Sequence, residues 1–131
     1  MTGSAESFAA WEDRIRGIER ADPDADTTAA LLRIAESVLE AWFEARGETP
    51  TESKREGFRL LALHRQGAKG DPSFNACRET CRELIYRHNV AALDARATAA
   101  AESARMAARL ALHLCLFVPF RRRQDVGCGA G

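Results

Sequence analysis

From Ser73 to Val118 the chain contains no glycine and no proline. The two residues that most readily stop a helix are missing there, and nothing in the stretch alternates with the period of a strand. At a rise of about 1.5 Å per residue, one continuous helix would reach about 70 Å, longer than a domain of this size can cover. The apolar positions register the same problem. Phe74, Cys77, Cys81, Leu84, His88 and Ala91 form one heptad seam, while Leu93, Ala97, Ala100, Ala104, Ala107, Ala111, Leu114 and Val118 form another. The two are offset by two positions near Asn89 to Asp94, which predicts a break or kink with Asp94 as a new N-cap. Alanines along the second seam permit close approach of a neighbouring helix.

The rest of the chain is punctuated as helices. Phe8, Trp11, Ile15 and Ile18 make one apolar stripe over residues 4–21. An acidic turn, Asp22 to Asp26, precedes a second helix over residues 27–46 that buries Leu31, Leu32, Ile34, Val38, Leu39, Trp42 and Phe43, with Gly47 as its stop. Thr49-Pro50-Thr51-Glu52 combines a Thr-x-x-Glu capping box with proline at the first helical position. It predicts a third helix that starts there, carries Phe58, Leu60, Leu61 and Leu63, and ends at Gly67. Asp71 and Pro72 open a fourth. The expected fold is an all-α, single-domain bundle of four to five helices over residues 1–120 with a long or kinked C-terminal segment. A basic and then glycine-rich flexible tail follows over 121–131.

Composition narrows the function classes. Nineteen Lys and Arg balance nineteen Asp and Glu, with 46 % apolar and 29 % charged residues, the balance of an ordinary globular domain. That disfavours a disordered tail protein, an acidic chaperone and a highly basic nucleic-acid binder. The neutrality is a sum: residues 1–26 hold seven acids and three bases, and residues 71–131 hold six acids and nine bases. An acidic first helix and a basic last region are therefore complementary, within one chain or between two. The N-terminal residues have no basic or apolar leader pattern, and the longest strongly apolar run, Leu110 to Phe120, is too short to span a bilayer. The expected location is cytoplasmic, with free thiols.

Three constellations carry chemistry. Cys77, Cys81 and His88 project from one helical face, where thiolates and an imidazole suit zinc or copper(I), with His64, His113 or Cys115 as further donors. Against this, Cys-x3-Cys is not the usual zinc knuckle, and a seam cysteine behaves as a small hydrophobe. Arg82 and His88 have an Arg-x5-His spacing similar to that of HEPN-type ribonucleases. There an arginine and a histidine cleave RNA by general acid–base work. The spacing is unspecific in a chain with 17 arginines, and Glu83 follows the arginine where that family places a polar residue. Glu36, Glu40, Glu44 and Glu48 form a carboxylate row that reads as a solvated face or as one that meets arginines of a neighbouring helix or subunit, with Arg78 and Arg82 as candidate partners, rather than as a metal site.

The C-terminal run ends in Phe117 and Phe120 followed by Arg121, Arg122 and Arg123. A helix end apolar on most sides must be covered, by the bundle centre, a second subunit or, less readily, a membrane surface. With no assembled catalytic motif, the sequence reads as a non-enzymatic bacterial regulatory, adaptor or accessory protein that acts through helix–helix contacts. A protein partner or a homodimer is expected, without specific nucleic acid and without a cofactor. A zinc or copper(I) thiol–imidazole or redox sensor is the alternative, and a HEPN-like ribonuclease the second.

Overall fold

The computed structural model describes residues 4–20, 25–93 and 97–130, with side chains described for 9–20, 26–93 and 98–117. It is an all-α single-domain bundle. In chain order the elements are α1 (Ser4–Arg20), α2 (Ala25–Ala45), α3 (Arg59–Gly70), a 3-10 turn η1 (Pro72–Cys77), α4 (Arg78–Leu93) and α5 (Ala97–Ala130). No strand is present among the described residues, and no helix there is long and apolar enough to cross a membrane.

The two heptad seams belong to two helices, α4 and α5. Residues 94–96, with the expected Asp94 cap, lie outside the described residues. Phe74 at the start of η1 meets Phe117 far along α5, ring centroids 6.3 Å apart, so α4 and α5 run antiparallel. α5 is the central helix, and α1, α2 and α4 all pack on it. The alanine seam makes this possible: Ala100, Ala104, Ala107 and Ala111 are buried, and such small side chains let three neighbours approach. Leu93, which the heptad reading placed on that seam, instead ends α4 and is 86 % exposed. It precedes α5 and so follows the outer face of its own helix. The acidic and basic regions meet within the chain, where α1 lies on α5 and Glu19 pairs with Arg109 at 3.6 Å.

α2 buries every one of its seven expected core residues. It ends in a Schellman turn: Glu48 N–H donates to Phe43 O and Gly47 N–H to Glu44 O, with Gly47 at φ +73. The third helix departs from the sequence reading. It begins at Arg59, not at Pro50. Residues 50–57 have no apolar side chain to bury, so a helix there would be polar all round, and cap signals alone do not hold one. Other partners take the backbone. The Gln66 amide donates to Thr49 O and accepts from Thr51 N–H, the Arg59 guanidinium donates to Thr51 O, and Ser53 N–H donates to Thr51 Oγ1. The chain then reverses through a two-residue turn at Glu56 and Gly57, both at positive φ, with Arg55 and Phe58 exchanging backbone hydrogen bonds.

Gly67 is also not a terminator. It lies inside α3, and α3 ends at Gly70. Its bare Cα face seats the ring of Phe74, so close that a Cβ at position 67 would sit 2.6 Å from Phe74 Cδ2. Asp71 and Pro72 act as expected: Asp71 accepts from Ser73 N–H and Oγ, and Pro72 opens the 3-10 turn that leads into α4. Around Phe74 stand Trp42 at 4.4 Å, His64 at 6.1 Å and Phe117. Aromatic pairs of this kind contribute about 0.5–1.5 kcal/mol each beyond the area they bury.

Two glycine substitutions should therefore have opposite signs. Gly67→Ala must push Phe74 aside and should cost about 1–3 kcal/mol, as overpacking does. Gly17→Ala, in α1 with nothing within 4 Å of the added methyl, should stabilise by about 0.5–1 kcal/mol. Urea unfolding of both variants checks the pair.

Candidate functional site

Three separate elements bring positive charge to one side of the molecule. Arg65 and Lys69 lie one turn apart on the exposed face of α3, and Arg78 and Arg82 do the same at the start of α4. Lys54 and Arg55 come from the loop that Gln66 and Arg59 tie down. Both lysines of the chain are in this group. Between the elements are two adjoining concavities. The narrower, about 190 Å³, is lined by Arg55, His64, Arg65, Asn75, Arg78 and Arg82 over a floor of Leu61 and Ala68. The wider, about 630 Å³, is lined by Lys54, Arg55, Arg65 and Lys69 with Gln66 and the Thr51–Ser53 turn. Arg55 and Arg65 stand in the walls of both.

The charge there is poorly compensated. Arg82 pairs with Glu56 at 3.2 Å, and Arg55 reaches the same carboxylate at 3.9 Å. Arg65 and Arg78 have no side-chain ion pair or hydrogen bond among the described residues. Like charges at i,i+4 on a helix cost a few tenths of a kcal/mol, and α3 and α4 each present one such pair to the same cleft. What the arrangement can do chemically is hold an anion.

Behind the narrow end lies a buried thiol–imidazole group. His64 Nε2 donates to Phe74 O at 2.8 Å, and the Cys77 thiol donates to the same carbonyl at 3.2 Å. Cys81 and His64 are the side chains that act on the Cys77 thiol. The Cys81 bond is the main reason that the Cys77 thiol is brought down to about 6, with burial opposing and His64 assisting. Cys81, the donor in that pair and fully buried, is raised well above the ordinary thiol value. For His64, burial works against the charged ring, but the bonds to Cys77 and Phe74 O outweigh it and raise the imidazole above 6.5.

The sequence-predicted residues are distributed differently from expectation. Cys77 and Cys81 do meet, but the imidazole beside them is His64, from α3. His88 points elsewhere: its Nδ1 is 2.9 Å from Thr28 Oγ1 and its ring stands edge-on to Phe58. Among the described residues no three His, Cys, Asp or Glu side chains are grouped to hold a metal ion, and Cys77, Cys81 and His88 are not brought together as a ligand set. Arg82 faces Glu56 while His88 faces Thr28, so these two share no partner. Cys115 is buried against the core and pushed up to about 11, by burial first and Glu12 second. His113 is exposed and its ring stacks near Phe117 at 6.5 Å.

The carboxylate row finds a cation other than Arg78 or Arg82. Arg59, at the first turn of α3, bonds Glu40 and reaches Glu52 at 3.4 Å while holding Thr51 O. Burial raises the Glu36 carboxyl above its ordinary value; Arg59 opposes the shift and Glu40 adds to it. Phe117 packs against Phe74 in the core, whereas the side chains of Phe120, Arg121, Arg122 and Arg123 lie outside the described residues.

No family model, no curated protein and no solved structure matches this chain. The cleft was missed from sequence because its cations come from three stretches, 54–55, 65–69 and 78–82, none of them a basic run. The signal that could have found it is the pair of like-charged i,i+4 couples, Arg65/Lys69 and Arg78/Arg82, flanking a predicted turn.

The two histidines should titrate on opposite sides of 6.5. His64 should protonate above that value and His88, lowered by burial, below it. The stabilities they confer then run in opposite directions. The His64 contribution is full below 6.5 and lost as pH rises through its raised value; the His88 contribution is full above 6.5 and lost as pH falls through its lowered one. Imidazole carbon–proton NMR titration of the native chain, with His64→Gln and His88→Gln for assignment, checks the order.

Proposed function

We propose that this protein works by binding, as a small regulatory or adaptor protein, and that it takes an acidic segment of a partner protein in the basic cleft between the 48–58 loop, α3 and the start of α4. The observation that supports this most directly is the uncompensated charge of Arg65 and Arg78. Natural surfaces usually intersperse their signs, and a domain neutral as a whole gains nothing for its own fold by concentrating cations around one concavity. An acidic segment relieves both repulsive couples and is steered to the cleft from a distance. The cleft walls are held in shape before any partner arrives, through Gln66, Arg59 and Gly67, so little ordering is left to be done on binding.

The test uses a fluorescent glutamate-rich peptide and anisotropy at low and moderate salt. Wild type should bind in a salt-sensitive manner, and Lys69→Glu or Arg65→Glu should weaken it by about tenfold or more, whereas Arg105→Glu, exposed on α5, should not. Equal loss in all three variants overturns the reading. So does a single-stranded RNA oligonucleotide that binds more tightly than the peptide.

A second copy of the chain is the other partner that an observation favours. Tyr86 and Leu93 stand seven residues apart on the outer face of α4, 56 % and 86 % exposed. In a symmetric dimer this stripe would pack on itself. Sedimentation of wild type should show dimer at tens of micromolar and Leu93→Glu should show monomer; monomeric wild type sinks the idea.

A further inference from the structure

Resting on the cleft reading above, we propose that the narrow end of the cleft, between His64, Arg65, Asn75, Arg78 and Arg82, is a site for a phosphate dianion, presented as a phosphorylated side chain of the acidic partner. The two lobes differ in chemistry. Both lysines, Lys54 and Lys69, line the wide recess, whereas the narrow end has no lysine in its lining and takes Arg55, Arg65, Arg78 and Arg82 beside His64 and Asn75. A guanidinium fork matches two phosphate oxygens at once, while an ammonium acts as a point charge. The narrow end is therefore built for a planar, bidentate hold and the wide one for diffuse attraction.

Charge bookkeeping points the same way. Four guanidiniums line the narrow end, and among the described residues only Glu56 pairs with any of them, which leaves three positive charges in excess there. One carboxylate would neutralise one of the three. A phosphomonoester brings a charge of about −1.5 to −2 and three acceptor oxygens. Arg65 and Arg78, which have no side-chain partner among the described residues, approach the cavity from α3 and from the first position of α4, on its two sides. The exposed Asn75 amide also lines the cavity and adds a donor. At about 190 Å³ the space suits a terminal phosphate with one substituent leading outward into the wide recess. A nucleic-acid backbone phosphate carries one charge and two substituents, so it would neutralise only one of the three charges.

The site is also rigidly backed. His64 cannot swing out without giving up its bond to Phe74 O, and Arg65 and Arg78 follow His64 and Cys77 in the chain. The carbonyl of Phe74 thus fixes the backbone positions from which the two unpaired arginines extend. That is the pre-organisation a phosphate clamp needs.

The experiment compares three probes on the full chain at matched ionic strength: inorganic phosphate, a glutamate-rich peptide with one central serine, and the same peptide phosphorylated at that serine. Calorimetry gives affinities, and amide and imidazole NMR shifts give the place. The phosphopeptide should bind about tenfold or more tightly than its parent, and inorganic phosphate should saturably shift Asn75, Arg78 and the His64 ring. Arg78→Met and Arg65→Met, each retaining an apolar stem, should remove the phosphate increment and leave most of the affinity for the plain peptide. Circular dichroism confirms that both variants are folded. Equal binding of the two peptides with no shift from inorganic phosphate overturns the phosphate site and leaves the cleft reading intact. Saturable inorganic phosphate without any gain for the phosphopeptide overturns the partner assignment in favour of a free phosphate ligand. Failure of every probe overturns both readings.

Discussion

The ring of Phe74 lies on the bare Cα face of Gly67, and that contact sets the distance between α3 and the start of α4. A side chain at position 67 would hold the two elements apart. Because it is absent, Phe74 reaches Trp42 and Phe117, and its own carbonyl is left where His64 and Cys77 can both donate to it. Their immediate neighbours, Arg65 and Arg78, are carried to the two sides of one cavity as a consequence. One close approach in the core thus fixes the geometry of a charged surface outside it.

A second constraint acts from the opposite side. Arg59 and Gln66 replace the backbone bonds that a helix over residues 50–57 would have made, and hold that segment as a strap across α3. Arg59 is half-buried among Glu40, Glu52 and Thr51 O, so its bonds are screened less than those of an exposed pair and define the position of the loop. Lys54 and Arg55 are displayed as a result, over the edge where Arg65 and Lys69 project. The acidic row of α2 and the basic cleft are linked through this one guanidinium.

The thiol–imidazole group has a structural role that is independent of any metal. His64 and Cys77 are both satisfied by Phe74 O, which is what buried polar atoms require. The Cys77 thiol is depressed by Cys81 first, against the opposing effect of burial, with the His64 imidazole assisting by hydrogen bonding and by its charge.

Helix periodicity made most of the architecture readable in advance. The seven buried residues of α2, the alanine seam of α5, the Asp71–Pro72 start and the division into two helices near Asn89 to Asp94 all follow from local pattern, since burial repeats with the helix. The failures have physical causes. The Thr49 capping box promised a helix that had no apolar face to anchor it, and Gly67 read as a stop when its purpose was to receive a ring from another element. Partners remote in sequence were out of reach of spacing arguments: His64 rather than His88 beside the cysteines, and Arg59 rather than Arg78 for Glu40. By itself the sequence determined an all-α bundle whose C-terminal helix carries an alanine seam, because those facts depend on residues three, four and seven apart. Only the tertiary structure decided that six cations from three distant stretches share one cleft, because Coulomb repulsion among them is overcome by core packing that no local pattern records.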